Sequence, residues 1–379
     1  MRNIVIGLVI GAVLGIVLGV TVIASRLQRP APGSGATVQA PVQTPAELAK
    51  QLPRAFAPRP DVALKMASAF ALETPIAGRL ATRLDDRIWD VSRGQIEIQV
   101  YPPNALAPAG GLYAAVGAGA IDAAFASPAV AADTIPALQL FAGFPFGPPA
   151  GEFLAWLDNG GLRLLETINA EHGVRGIPCG LMPASAFGWF RYELQSPQDL
   201  KGLRMQADGL RGLVLAQLGA EVVDLPPGEL MLALEQGTVN AVTYASPAVD
   251  RQVPFRTWLK NYYPEGWHQS PSMLELMINL KTWETLTAAQ RVQIETVCGD
   301  NVRHSLAEGE AIQFRAVKDL FAEGVRLAPL PPSIRAALER AWQQLVQQRA
   351  VDDPEFRTVW QSLSQFRGDF AIWQDLSSP

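Results

Sequence analysis

The sequence predicts an α/β protein with two lobes, a cleft between them, helices at the carboxyl end and a membrane-crossing helix at the amino end. Three observations predict it. From Asp61 onward short β-type runs alternate with helical patterns, one strand-and-turn pattern occurs twice, and an uncharged apolar run opens the chain. The 379 residues leave room for about two to three folding units. With 49% hydrophobic and 18% charged residues the chain is not a disordered one. Lys and Arg number 31 against 36 Asp and Glu, and no long basic run appears, which excludes nucleic acid as a partner. Cys179 and Cys298 stand far apart, excluding a disulfide scaffold and a cysteine zinc site while leaving one bridge open. His172, His268 and His304 lie in separate contexts, leaving little for a metal cluster or a histidine-based triad.

The elements follow in order. Ile4 to Ala24 carries no charge and lies between Arg2 and Arg26. As a helix it is about 31 Å long, enough to cross a bilayer core, and its length favours a retained anchor over a cleaved signal segment. Gly7, Gly11, Gly15 and Gly19 fall on one face of that helix, a surface for close helix packing. Residues 26–60, rich in Pro, Ala, Gly and Gln, read as a semi-extended linker. Beyond it come a strand at Val62–Met66, a helix over Ile76–Ser92, a strand at Gln95–Tyr101 with clean polar and apolar alternation, a helix over Gly111–Ala118 and a short strand at Ile121–Ala126. Such alternation argues for mostly parallel sheets.

The stretch Gly119 to Val130 is similar to Gly237 to Val249, which has one extra residue. Each follows a helical segment, enters a strand and leaves through an aromatic residue, alanine, serine and proline. Two lobes of like topology, each offering a strand-end loop to a shared cleft, account for this. Ligands of open α/β sheets gather at the carboxyl ends of strands, so Phe125, Ser127, Tyr244 and Ser246 are candidate contacts. No nucleophile elbow, phosphate loop, paired-histidine metal motif or dinucleotide fingerprint occurs, which favours binding over catalysis; no cofactor is implied. Near the carboxyl end, Ile334, Leu338, Trp342, Leu345 and Val346 form a helical stripe, and Asp352-Asp353-Pro354 starts a second helix carrying Trp360, Leu363 and Phe366.

From Phe187 the chain resembles a known family. Phe187-Gly188-Trp189-Phe190 followed by Ser196 to Gln206 is similar to the GWF and DLKGLKMR stretch of extracytoplasmic solute receptors of tripartite ATP-independent periplasmic (TRAP) transporters. Leu218 to Glu229 with Ala233 to Gly237 resembles that family's LGxxVVxLPxGE and ALqxG. Tyr262 to Gln269 and Glu275 to Leu286 are similar to the branch that binds 2-oxo acids, as is the tail from Asp353 to Trp373. The resemblance covers about Asp61 to Trp373. It implies a two-lobed periplasmic-binding-protein-like fold that closes on a small organic ligand and hands it to TRAP membrane permease subunits. It implies lobe I over residues 61–184 and 243–283, lobe II over 185–242 and 284–330, and C-terminal helices over 331–379 that in this branch support a homodimer. A periplasmic body tethered to the inner membrane follows; a tethered sensor or scaffold without transport is the alternative.

The same resemblance places the site at Ser185, Trp189, Gln206, Thr243, Tyr244 and Gln269, and this sequence departs from the pattern there. Gln206 stands where the family's carboxylate-gripping arginine is implied, with Arg204 two residues earlier. Ser185 replaces a glutamine, Thr243 a cation-holding glutamate and Gln269 an acid. A buried carboxylate needs a charge-assisted donor, and a hard cation needs anionic oxygen ligands. The expectation is a pocket rewired towards a neutral or weakly charged ligand, either 2-oxo acid-like or a neutral analogue. His268 is expected as a structural hydrogen-bonding residue, and Glu275, in an alternating strand, as half of an internal pair.

Overall fold

β1 (Val62–Ser68) runs into a turn that opens α1 (Ala77–Ser92), whose buried Leu80, Ala81, Leu84 and Ile88 make one apolar face. Arg93 and Gly94, both with positive φ, end that helix and return the chain as β2 (Ile96–Tyr101), parallel to β1 with Val62 opposite Ile96. After the helix Leu112–Gly117, β3 (Ala123–Ala126) lies parallel on the other side of β1. The sheet is completed by β4 (Val174–Met182) and β10 (Ser272–Asn279), in the order β2-β1-β3-β10-β4. This is a computed structural model, and it describes residues 59–268 and 271–377. Every described residue belongs to one compact unit. The expected anchor, nearly all of the linker and Gln269 lie outside the described residues.

A second sheet repeats the plan. β6 (Arg204–Gln206), α2 (Gly209–Gln217), β7 (Glu221–Val223), α3 (Pro227–Glu235) and β8 (Ala241–Val242) form a β-α-β-α-β unit with β6 parallel to both neighbours. β5 (Gly188–Phe190) runs antiparallel beside β8, then β9 (Asn261–Tyr263) antiparallel beside β5, with β11 (Arg326–Leu327) at the edge. β5 therefore holds in the second sheet the place that β10 holds in the first. β3 and β8 are equivalent third strands, which explains the repeated pattern around them.

Three expectations need correction. The sheets are mixed, because β10 and β5 oppose the strands on both their sides. Residues 243–283 do not all join the first lobe: β9 pairs with β5 and β11 in the second sheet, and only β10 returns to the first. β10 does not alternate in exposure either. Met273 and Met277 pack into one apolar cluster, and Leu274, Leu276 and Ile278 into another, so the strand is buried on both faces.

Long helices tie the sheets together. α4 (Ala288–Ala322) starts at a capping box of Thr287 and Gln290, and a disulfide joins its Cys298 to Cys179 of β4. α5 (Pro332–Asp352) and α6 (Pro354–Ser377) are separated by Asp353, whose carboxylate accepts from the amides of Glu355 and Phe356. Trp342 and Trp360 pack on Phe144, Trp156 donates to Ser362, and Arg367 pairs with Glu152, so these helices cover the first lobe's 136–161 segment.

Candidate ligand-binding site

The carboxyl ends of β6 and β8 lie side by side. Thr243 N and Oγ1 both donate to the Gln206 carbonyl, at 3.0 and 3.1 Å. Ala186 N donates to the Ala245 carbonyl at 3.1 Å, bringing Ser185 to the same edge. That approach depends on Gly188, whose φ is 118° and whose added Cβ would lie 2.0 Å from the Val242 oxygen. Ser185, Gln206, Thr243, Tyr244 and Ser246 are thus gathered at one end of the second sheet. Ser127 occupies the equivalent strand end of the first.

Several expected contacts have other duties. The Gln206 amide is taken up at both ends: Oε1 accepts from Leu225 N at 2.8 Å and Nε2 donates to Asp224 Oδ1 at 2.9 Å. It fastens the turn after β7. Trp189 is fully buried with its ring 4.6 Å from that of Tyr262, and is core of the second lobe. Phe125 is likewise buried, between Ser68 of β1 and Leu276 of β10. Both side chains point into the sheet packing because their strand positions face that way. Ser127 Oγ accepts from Ala129 N at 3.3 Å and caps the short turn that follows. Ser246, in the matching position, is buried and its hydroxyl has no partner among the described residues. Tyr244 stays 38% exposed, its ring edge-on to Phe255 at 5.3 Å.

Three residues that sequence reasoning did not assign to the site stand beside it. Asp250 is fully buried and accepts from Ala245 N at 2.9 Å and Tyr262 OH at 3.0 Å. Burial pushes its carboxyl up to about 8, against the opposing pull of those two hydrogen bonds, the Arg211 charge and the Trp189 indole. His268 is buried with rings of Trp267 and Phe187 at 5.4 and 6.4 Å, and neither ring nitrogen has a partner among the described residues. It is not the hydrogen-bonded structural residue expected. Burial first, and the Arg211 charge second, hold its imidazole well below the usual range and therefore neutral. Arg211, in the first turn of α2, reaches Asp208 Oδ1 with Nε at 2.7 Å and Nη2 at 2.5 Å. A signal for it was present: a cation at the positive end of a helix runs against the helix dipole.

The two lobes also face each other across a groove of about 430 Å³. Pro75 and Arg79 of the first lobe, Ala248 and Arg251 of the second, and Ile312 and Arg315 of α4 line it. The short helix Pro247–Asp250 gives Ala248 to this groove, while Asp250 at its end is buried.

Two lobes of repeated topology, with buried partnerless polar groups at a strand end, define a solute-binding protein. Residues 66–352 match the model for bacterial extracellular solute-binding protein, family 7, and the chain belongs to that family. A monocarboxylate 2-oxoacid-binding periplasmic protein of Nostoc sp. (strain PCC 7120) is 30% identical over 288 residues, covering 76% of this chain and 79% of that one. A TRAP transporter solute-binding protein from Bordetella bronchiseptica RB50, a dimer with calcium and picolinate bound, superposes with a TM-score of 0.78 at 28% identity, covering 84% of this chain and 95% of that one. One from Colwellia psychrerythraea with calcium and pyruvate gives 0.79 at 26%, covering 83% and 97%. The chain is accordingly a substrate-binding subunit of a TRAP-type transporter, periplasmic and not an enzyme.

The cations in those relatives raise the question of fit. Among the described residues no three His, Cys, Asp or Glu side chains come together to hold a metal. Thr243 offers a neutral hydroxyl already donated to Gln206 O, and Asp250 is raised to about 8 and held by two donors. A hard cation needs several oxygen ligands carrying negative charge, and this donor set does not fit one.

Proposed function

We propose that this receptor takes a small monocarboxylate of the 2-oxo acid class at the carboxyl end of the second sheet. The observation that carries the reading is the pair of buried, partnerless polar groups there, Ser246 Oγ and the His268 ring nitrogens. Buried polar atoms in native proteins almost always have partners, and a ligand supplies those missing. Pyruvate and picolinate, held by the relatives above, both set a hydrogen-bond acceptor beside a carboxylate. A serine hydroxyl and a neutral imidazole N–H are donors suited to such an acceptor. Of the two ligand classes expected, 2-oxo acid-like or neutral, a cation at this end of the sheet, Arg211, favours the charged one. Thermal unfolding of the full chain with pyruvate, lactate, pyruvamide and a sugar tests the reading. Ligand at about a hundred times its dissociation constant stabilises by about 2.7 kcal/mol. Stabilisation by the carboxylates is expected; a response to the amide or sugar alone contradicts it.

Two features extend the reading. Ile4 to Ala24 would hold the receptor at the inner membrane. The last turns of α6 expose Ile372, Trp373 and Leu376, an apolar surface suited to a second copy of this chain, as in the dimeric Bordetella relative. Light scattering of Trp373→Asp should show monomer where the parent chain shows dimer.

A further inference from the structure

Gln206 is closed to a ligand because its amide is engaged with Asp224 and Leu225, yet the same strand end does not lack a guanidinium. Arg211 follows on the first turn of α2, with only 13% of its side chain exposed. Its partner Asp208 is 55% exposed, so that ion pair is open on the solvent side. Asp250 and His268, both fully buried, feel the Arg211 charge from within the lobe. Neither neutralises it at neutral pH: the raised Asp250 carboxyl is largely protonated and the imidazole is uncharged. At the same end of the sheet, His268 and Ser246 are buried and have polar atoms without partners among the described residues. An anion entering there gains a charge-assisted donor that is already desolvated and already held in place by Asp208.

We propose that Arg211 is the residue that recognises the ligand carboxylate in this receptor, with His268 and Ser246 hydrogen-bonding the ligand's remaining oxygen, so that the anion is held by a guanidinium without a bridging metal cation. The assignment rests on the ligand reading given above. It explains together why position 206 carries a neutral amide turned inward and why position 243 carries threonine. A carboxylate neutralised by an arginine five residues further along the chain needs neither the earlier arginine nor a cation to balance a glutamate.

Titration calorimetry of the full chain in detergent tests it, using pyruvate and its uncharged analogue pyruvamide, in sodium buffer and in choline buffer with a chelator. The parent chain is expected to bind pyruvate equally in both buffers. Arg211→Gln should weaken pyruvate about 30-fold or more while leaving pyruvamide within about threefold, because only the charged ligand loses a buried partner. Arg211→Lys should recover part of the pyruvate affinity. Asp208→Asn, which breaks the surface ion pair and keeps the guanidinium, should cost only a few fold. Pyruvate binding unchanged in Arg211→Gln, an equal loss in Asp208→Asn, or loss of parent binding in the chelated choline buffer would each overturn the assignment. If Ser246→Ala abolishes binding while Arg211→Gln does not, the ligand site stands and the role of Arg211 falls. A parent chain that binds no carboxylate overturns both. Melting of each variant confirms that it is folded before titration.

Discussion

Glu275 lies in the middle of β10, wholly buried, with Oε1 accepting from Asn169 Nδ2 at 3.1 Å and Oε2 without a partner. Asn169 in turn accepts from Tyr113 OH at 2.8 Å, and the pair fits only because residue 176 is glycine. Burial pushes the Glu275 carboxyl from its ordinary 4.5 up to about 8, against the Asn169 hydrogen bond and the Arg175 charge. The folded state therefore keeps a proton that the unfolded chain releases near pH 4.5. Stability contributed by this group is complete below that pH, falls by about 1.4 kcal/mol per unit as pH rises towards 8, and is level above it. Glu275→Gln keeps the acceptor and removes the titration. Denaturant unfolding should find the variant close to the parent at pH 4.5 and more stable by several kcal/mol at pH 8.5; an equal gap at both values contradicts this. At the same scale, Gly188→Ala should cost about 2–4 kcal/mol, since the new methyl meets the Val242 oxygen that β5 must approach. A melt of that variant within a degree of the parent would sink the account of β5. Single residues were also where the sequence was hardest to read. Phe125 looked like a strand-end contact and Trp189 like a site residue by resemblance, but which face of a strand a side chain joins depends on a register that one sequence does not reveal. Asp250 and Arg211 carry no local motif, and only the folding of the second lobe brings them beside His268.

At the scale of elements the first lobe was legible almost strand by strand. β1, α1 and β2 have the periodicities expected of them, and the break between α5 and α6 follows from Asp353-Pro354, whereas the long helix α4 with its Thr287-Gln290 cap went unread. Partners were less legible. A three-residue strand such as β9 reads the same whichever sheet it joins, so its place in the second lobe was not foreseeable from Asn261-Tyr262-Tyr263. The disulfide is of the same kind: composition allowed one bridge, and only the packing of α4 on β4 brings Cys179 and Cys298 together across 119 residues of chain. Closing so long a loop constrains the unfolded chain, and replacing both cysteines by serine should cost about 2–5 kcal/mol. Parent and variant melted side by side, with and without reductant, should converge once the parent is reduced. Indifference of the parent to reductant would mean that the bridge contributes little.

For the whole molecule, the repeated Ala-Ser-Pro exits of β3 and β8 were the clearest sequence evidence for two lobes, and both strands hold equivalent places in their sheets. The two exits have since diverged in physical role. Ser127 caps its own turn, whereas the Ser246 hydroxyl, beside Asp250, is left without a partner among the described residues, and on the proposed reading it is the second lobe that carries the chemistry of recognition. That asymmetry underlies the central claim, that a small carboxylate is held on Arg211 with no metal between ligand and protein. A crystal structure of the full chain grown with pyruvate and calcium tests it most directly. The account predicts the carboxylate within hydrogen-bonding distance of the Arg211 guanidinium, an oxygen of the ligand on His268 or Ser246, and no calcium peak beside Thr243. A carboxylate bound at Gln206 through a calcium ion would contradict it.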